Sequence, residues 1–214
     1  MTSMRRRALS GLVAVALMAT AAPAFAQAAA PAPTNLGTFK GWTAWQGSDE
    51  YGKICFISAA PDTMEPSQVN GKPVVRDPAH FLVIHRDKAP AINADGTAAK
   101  DKNGAAIFRK VRNEVQTLVG YPLQPTTDSF THTAEIDGKA YPMKSIPDDP
   151  ATAIKDNEAA WLASMNDEAG FVKAMEGGTK LVVHGTSLKG TKTTDTYALA
   201  GVTAAMAAID KACP

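Results

Sequence analysis

The sequence predicts a mainly β, antiparallel domain with two short helices, and three observations carry that prediction. Short runs rich in β-branched and aromatic residues recur at 53–60 (KICFISAA), 80–85 (HFLVIH) and 111–123 (VRNEVQTLVGYPL). Between such runs stand Asp95-Gly96, Asn103-Gly104 and Asp137-Gly138, the residue pairs favoured where a two-residue hairpin turn demands positive φ. Helical spacing of apolar residues occurs near 167–176 and again near 202–212.

The N-terminus reads as a secretory signal over residues 1–26. Arg5, Arg6 and Arg7 form its positive region, residues 9–22 its apolar run, and Ala24-Phe25-Ala26 its small-x-small cleavage site. No cysteine follows that run to accept a lipid, and no later apolar run reaches the length of a transmembrane helix, so a soluble mature chain is expected. Cleavage removes three of the 22 basic residues and none of the 21 acidic ones, leaving a net charge of −2. That balance lacks the basic footprint of a nucleic-acid or anionic-membrane binder. Roughly 190 residues remain, enough for one domain with its own core.

Residues 27–38 are expected to be an Ala/Pro linker, with the fold beginning at Phe39. Trp42 and Trp45 have odd separation, so one strand would send them to opposite faces. In the 53–60 run Cys55 and Ile57 face one way, Ile54 and Phe56 the other. Residues 61–78 read as a loop, with a short strand at 72–75. Val111, Val115 and Val119 share a face, 130–136 and 139–143 flank the Asp137-Gly138 turn, 147–157 is an acidic loop, and 160–165 (AWLASM) is a short strand. Asn166 is placed as the cap of the first helix, whose stripe is Phe171, Val172 and Met175 and whose stop is Gly177-Gly178.

Residues 86–110 carry two turn signals and read as a protruding hairpin or long ordered loop. Their Asp/Asn spacing resembles a calcium loop only superficially, since the D-x-[DN]-x-[DN]-G pattern and its later Glu are missing; turn chemistry explains them better. Long ordered loops tend to be functional, so Lys88, Asn93, Asp95, Lys100, Asp101, Lys102, Asn103 and Phe108 form the candidate interaction loop.

The chain closes with a strand at 181–183, apolar on both faces and hence central, a turn at 187–192, and a strand where Tyr197 and Leu199 share a face with Asp195. Gly201 then breaks into a helix whose Val202, Met206, Ile209 and Cys213 lie on one side. Cys55 and Cys213 are the only cysteines; in an exported protein one disulfide is expected, two buried thiols being the alternative.

No catalytic constellation, metal site or cofactor motif emerges. Gly185 to Gly190 is one residue too long for a nucleophile elbow, and Ser187 with Lys189 reads as turn chemistry. His80, His85, His132 and His184 lack ligand spacing. Glu114 and Asp195 read as solvated strand charges partnered by Arg112 and Lys192, and the three tryptophans as core.

Taken together, Trp42 with GKICFIS, then VRNEVQTLVGYPL, then AWL, and above all the block KLVVHGTSLKGTKTTDTYALAGVTAAMAAIDKACP resemble the invasion-associated locus B family of bacterial envelope proteins. The resemblance runs in order along nearly the whole mature chain. It implies an antiparallel β-sandwich or barrel-like domain in the periplasm or at the cell surface, without enzymatic activity, acting on an unknown protein or cell-surface partner, with host-cell invasion the role the family's name carries. Residues 87–109 depart from the family pattern as an insertion. The alternative from another class is a periplasmic small-ligand binder or cryptic hydrolase, which requires a concave pocket with convergent polar groups.

Overall fold

Alternation along the strands decides the architecture. In a computed structural model the 53–60 run buries Cys55, Ile57 and Ala59 while Ile54, Phe56 and Ser58 stay half-buried, so one sheet face needs a covering layer and the other does not. The structure describes residues 32–66, 68–69, 72–73, 76, 79–91, 98–126, 132–145 and 156–214. The signal segment and the Asp95-Gly96 turn lie outside them.

The strands are β1 (Thr34–Phe39), β2 (Trp42–Asp49), β3 (Gly52–Ala59), β4 (Thr63–Glu65), β5 (Gln68–Val69), β6 (Lys72–Pro73), β7 (His80–Pro90), β8 (Phe108–Leu118), β9 (His132–Ile136), β10 (Lys139–Ser145), β11 (Ala159–Leu162), β12 (Lys180–Thr186) and β13 (Lys192–Ala198). The helices are α1 (Glu168–Gly177) and α2 (Val202–Ala212). One antiparallel sheet of 11 strands runs in the order β1-β2-β3-β7-β8-β11-β10-β9-β12-β13-β4, and β5 pairs with β6 apart from it. The sheet does not close, but it curls. Residues 60–62 suffice to carry the chain from β3, near one end of the order, to β4 at the other. At that crossing the Asp62 amide donates to the Thr196 carbonyl at 2.7 Å and the Trp42 indole N–H to the Ala198 carbonyl at 2.9 Å.

Curling lays two halves of one inner face against each other, which gives the sandwich-like core. Its aromatic spine draws on both halves and on α1: Phe81 meets Trp42 at 6.4 Å, Tyr197 at 5.8 Å and Phe171 at 5.9 Å, and Phe171 meets Tyr141 edge-on at 4.8 Å. Trp45 lies on the outer face, stacked on Phe56, so the parity argument for the two tryptophans holds. The β9–β10 connection is the expected two-residue turn, with Asp137 at φ 46° and Gly138 at φ 91° between paired Ile136 and Lys139. The α2 stripe buries Val202, Ala205, Met206 and Ile209, and Cys213 beyond it is joined to Cys55 with Cα atoms 6.1 Å apart.

Several expectations need correction. Part of the presumed linker, Thr34 to Thr38, is strand, because β1 pairs along β2. The 61–78 segment holds β4, a polar three-residue edge strand too short for periodicity to reveal. Asn166 sits inside a 3₁₀ turn (Met165–Asp167) and Asp167 occupies the cap position without a side-chain bond. Trp45 and Trp161 are half-buried rather than core, which leaves Trp42 as the core tryptophan.

The disulfide spans 158 residues, so chain entropy assigns it an upper value of about 5 kcal/mol. Cys213→Ala is expected to lower unfolding free energy by several kcal/mol in a urea titration, and reductant to have the same effect on the parent. A reductant-insensitive transition would contradict this.

Candidate functional site

The 86–110 segment extends the β7–β8 hairpin past the sheet. Ala89 pairs with Arg109 and Pro90 with Phe108; beyond them the Ala91 amide donates to Ile107 O at 2.8 Å. Residues 99–106 form a small hairpin of their own, bridged at Lys100 and Ala106. Its turn is built by Asp101, whose Oδ1 accepts from the Asn103 and Ala105 amides at 2.8 and 2.9 Å, with Gly104 at φ 82°. Asp101 is thereby a turn residue, as the sequence implied. Asn93 and Asp95 lie outside the described residues.

Lys88, Lys100, Asp101, Lys102 and Asn103 are exposed, and so are Ile107 at 42% and Phe108 at 39%. Consecutive residues of an extended strand point to opposite sides. Exposure of both therefore means that the base of the extension is uncovered on each face. The Phe108 ring holds the Lys88 ammonium 4.2 Å from its centroid and the Tyr51 ring at 5.9 Å.

A cleft of about 640 Å³ opens between this base and the β2–β3 turn. Arg86 crosses it, paired with Asp49 and 3.8 Å from Glu114. On the neighbouring strand Arg109 donates to the Met165 sulfur at 3.2 Å, and Met165 is 54% exposed. Glu168, opening α1, is buried; burial, then the nearby Glu114 carboxylate, push its pKa up to about 7 against the pull of Arg109.

The remaining titratable residues hold structure. His132 Nε2 donates to Gln124 O at 2.9 Å while its Nδ1 accepts from the Thr186 amide at 3.3 Å. His85 is buried opposite Cys55, its Nε2 3.2 Å from Asn113 Oδ1, and burial lowers its pKa. His184 meets Thr194, and His80 lies on the outer face. Among the described residues no group of three or more His, Cys, Asp or Glu is placed to hold a metal. Ser187 is a turn residue whose Oγ accepts from the Thr191 amide at 3.1 Å. The reading of Asp195 is corrected: it is buried, points inward with Tyr197, and pairs with Arg76 rather than Lys192, while Glu114 faces Arg86 rather than Arg112. Burial pushes the Asp195 carboxyl up and Arg76 opposes the rise. Sequence reasoning missed Arg76, Arg86, Arg109, Met165 and Glu168, all of which act through partners distant in the chain.

Residues 157–210, covering β11, α1, β12, β13 and most of α2, match the model of the family described as invasion associated locus B (IalB) protein. Over that C-terminal quarter the chain is similar to the IalB family. It is also similar in structure to the invasion associated protein b from Bartonella henselae, at 15% identity and a TM-score of 0.44, over 83% of this chain and 99% of that one. No curated protein matches it in sequence. The IalB match takes in Met165 and Glu168 but not the extension, and among the described residues no helix is long and apolar enough to cross a membrane.

Glu168 yields a pH prediction. Its folded pKa of about 7 exceeds the ordinary glutamate value of 4.5, so between those values the folded state binds the extra proton and stability falls as pH rises. Glu168→Gln is expected to flatten that slope and to exceed the parent above pH 7 by about 2–3 kcal/mol in urea titrations. Parallel profiles for the two proteins would contradict it.

Proposed function

We propose that this is a non-enzymatic exported protein of the bacterial envelope that works by binding another protein through the β7–β8 extension. The IalB match supports the family setting. The Cys55–Cys213 bond supports an oxidising compartment, the periplasm or cell surface after removal of the leader. The observation that carries the contact surface is the pair Ile107 and Phe108, exposed on opposite faces of the hydrogen-bonded base of the extension. An ordered strand with apolar residues bare on both sides presents the mix found in contact patches: an aromatic anchor, a cation beside it, and a polar rim. Lys88 supplies the cation beside Phe108, and Lys100, Asp101 and Asn103 the polar rim. Exposed Met165 adds an adaptable apolar contact next to Arg109. Invasion of a host cell is the setting the family name offers for such a contact.

Replacing residues 92–106 by a two-residue Asp-Gly turn is expected to leave the thermal midpoint nearly unchanged, because the described residues of this segment, 98–106, lie outside the buried core. The same variant, and Phe108→Asp, are expected to lose the partner captured by crosslinking on intact cells. Capture at parental level by both variants would remove the extension from the interface.

A further inference from the structure

A second concavity, of about 470 Å³, lies under the β12–β13 turn. Its walls are Pro66, Tyr121, Pro122 and Leu188, and Lys189 stands at its rim. The turn is fixed in place: Leu188 N donates to Pro122 O at 2.9 Å, Gln124 N to Thr186 O at 2.9 Å, and Gly190, at φ 82°, closes the loop onto Ser187 O at 2.8 Å. Tyr121 is fixed too, by a hydroxyl contact to Thr193 and by close packing on Gly185, where a Cβ would come within 2.7 Å of the phenol oxygen.

Arg76 also lines this cavity. Its side chain is 6% exposed, and its guanidinium grips Asp195 through both terminal nitrogens and lies 5.4 Å from the Tyr121 ring centroid. A buried ion pair is a poor source of stability, since an apolar pair of the same shape does as well or better. Its place beside a preformed, mostly apolar cavity has a better explanation in recognition, with Asp195 and Tyr121 holding the guanidinium still. Arg76 and Lys189 against Asp195 leave one net positive charge. That balance suits one carboxylate and disfavours a phosphate dianion, which would be repelled by Asp195.

We propose that this cavity binds a small hydrophobic carboxylate. Its apolar body lies against Pro66, Tyr121, Pro122 and Leu188, and its carboxylate is held by Arg76 and Lys189. A free organic acid and the C-terminus of an apolar peptide share that chemistry.

The test titrates the full mature chain with 4-phenylbutyrate, 4-phenylbutyramide and phenyl phosphate, following amide NMR shifts at Tyr121, Thr191 and Thr193. Saturable shifts at these residues with the carboxylate, and weaker binding by at least about tenfold for the amide and the phosphate, are expected. Lys189→Gln and Leu188→Asp alter exposed turn residues and leave Arg76 and Asp195 intact. Both are expected to weaken carboxylate binding by about tenfold or more with an unchanged melt. A tripeptide ending in Leu, compared with its C-terminal amide, identifies the source: tighter binding than phenylbutyrate points to peptide ends, weaker to free acids. Absence of saturable shifts, equal binding of the amide, or parental affinity in both variants overturns the proposal.

Discussion

The seam where the curled sheet meets itself is the constraint on which the rest depends. An 11-stranded sheet with one apolar face has to cover that face, and right-handed twist accumulated over so many strands brings its ends together. Strand pairing does not close the ring, so other contacts must. Trp42 reaches across to the Ala198 carbonyl, and Asp62 accepts from the Ala198 amide at 2.7 Å while donating its own amide to Thr196. Gly201, at φ 103°, lets the chain turn into α2 against Phe39, where a Cβ would sit 2.0 Å from the carbonyl oxygen. There α2 packs on β1, β2 and β3, and the disulfide ties its end to β3. The covalent bond thus holds a junction that backbone pairing leaves open.

Polar groups near this seam are arranged accordingly. His85 sits in register with Cys55, its Nδ1 3.6 Å from the exposed Asp210 on α2, and burial favours the neutral ring. Asn113, at φ 62°, brings its amide to the other ring nitrogen. Lys110 and Arg112 on β8 then bond the Pro214 oxygen, so the segment carrying Cys213 is held on both sides of the sulfur. The far edge is treated differently. Strand β4 is three exposed residues long, too short to template pairing with another chain, and the Arg76–Asp195 pair ties the excursion after it to β13.

Where the physics is local, the residues announce it. Alternation put Cys55 and Ile57 inward, Asp137-Gly138 named its turn, and the spacing of Val202, Met206, Ile209 and Cys213 placed a helix over the residues it occupies. Parity also put Asp195 on the Tyr197 face, yet its charge argued for water. Parity prevailed because Arg76, in a Pro-rich stretch with no periodicity of its own, arrives as a partner 119 residues away. Glu168 is the same lesson at a helix start, where an acid suits the dipole but curling has buried it near Glu114. The extension was legible through its Asn-Gly turn, whereas the cleft at its base needs Arg86, Arg109 and the β2–β3 turn together, and no local pattern encodes that meeting.

Antiparallel pairing separates the two candidate surfaces. From β7 through β8, β11, β10, β9, β12 and β13, direction alternates at every step, so β7 and β13 run the same way and β12 runs opposite to β7. The β7–β8 extension therefore leaves one end of the sheet, together with the β2–β3 turn, while the β12–β13 turn and the cavity beneath it lie at the other. Tyr121, just beyond the end of β8, belongs to that second pole, consistent with its place in the cavity wall. No residue lines both the cleft and the cavity. Substitutions at one pole should then add to those at the other without coupling, as distant sites with no shared partners do. Both poles hang on hairpins whose registers the inner-face core fixes, which is why a domain held by its seam can keep two chemically different surfaces at its ends.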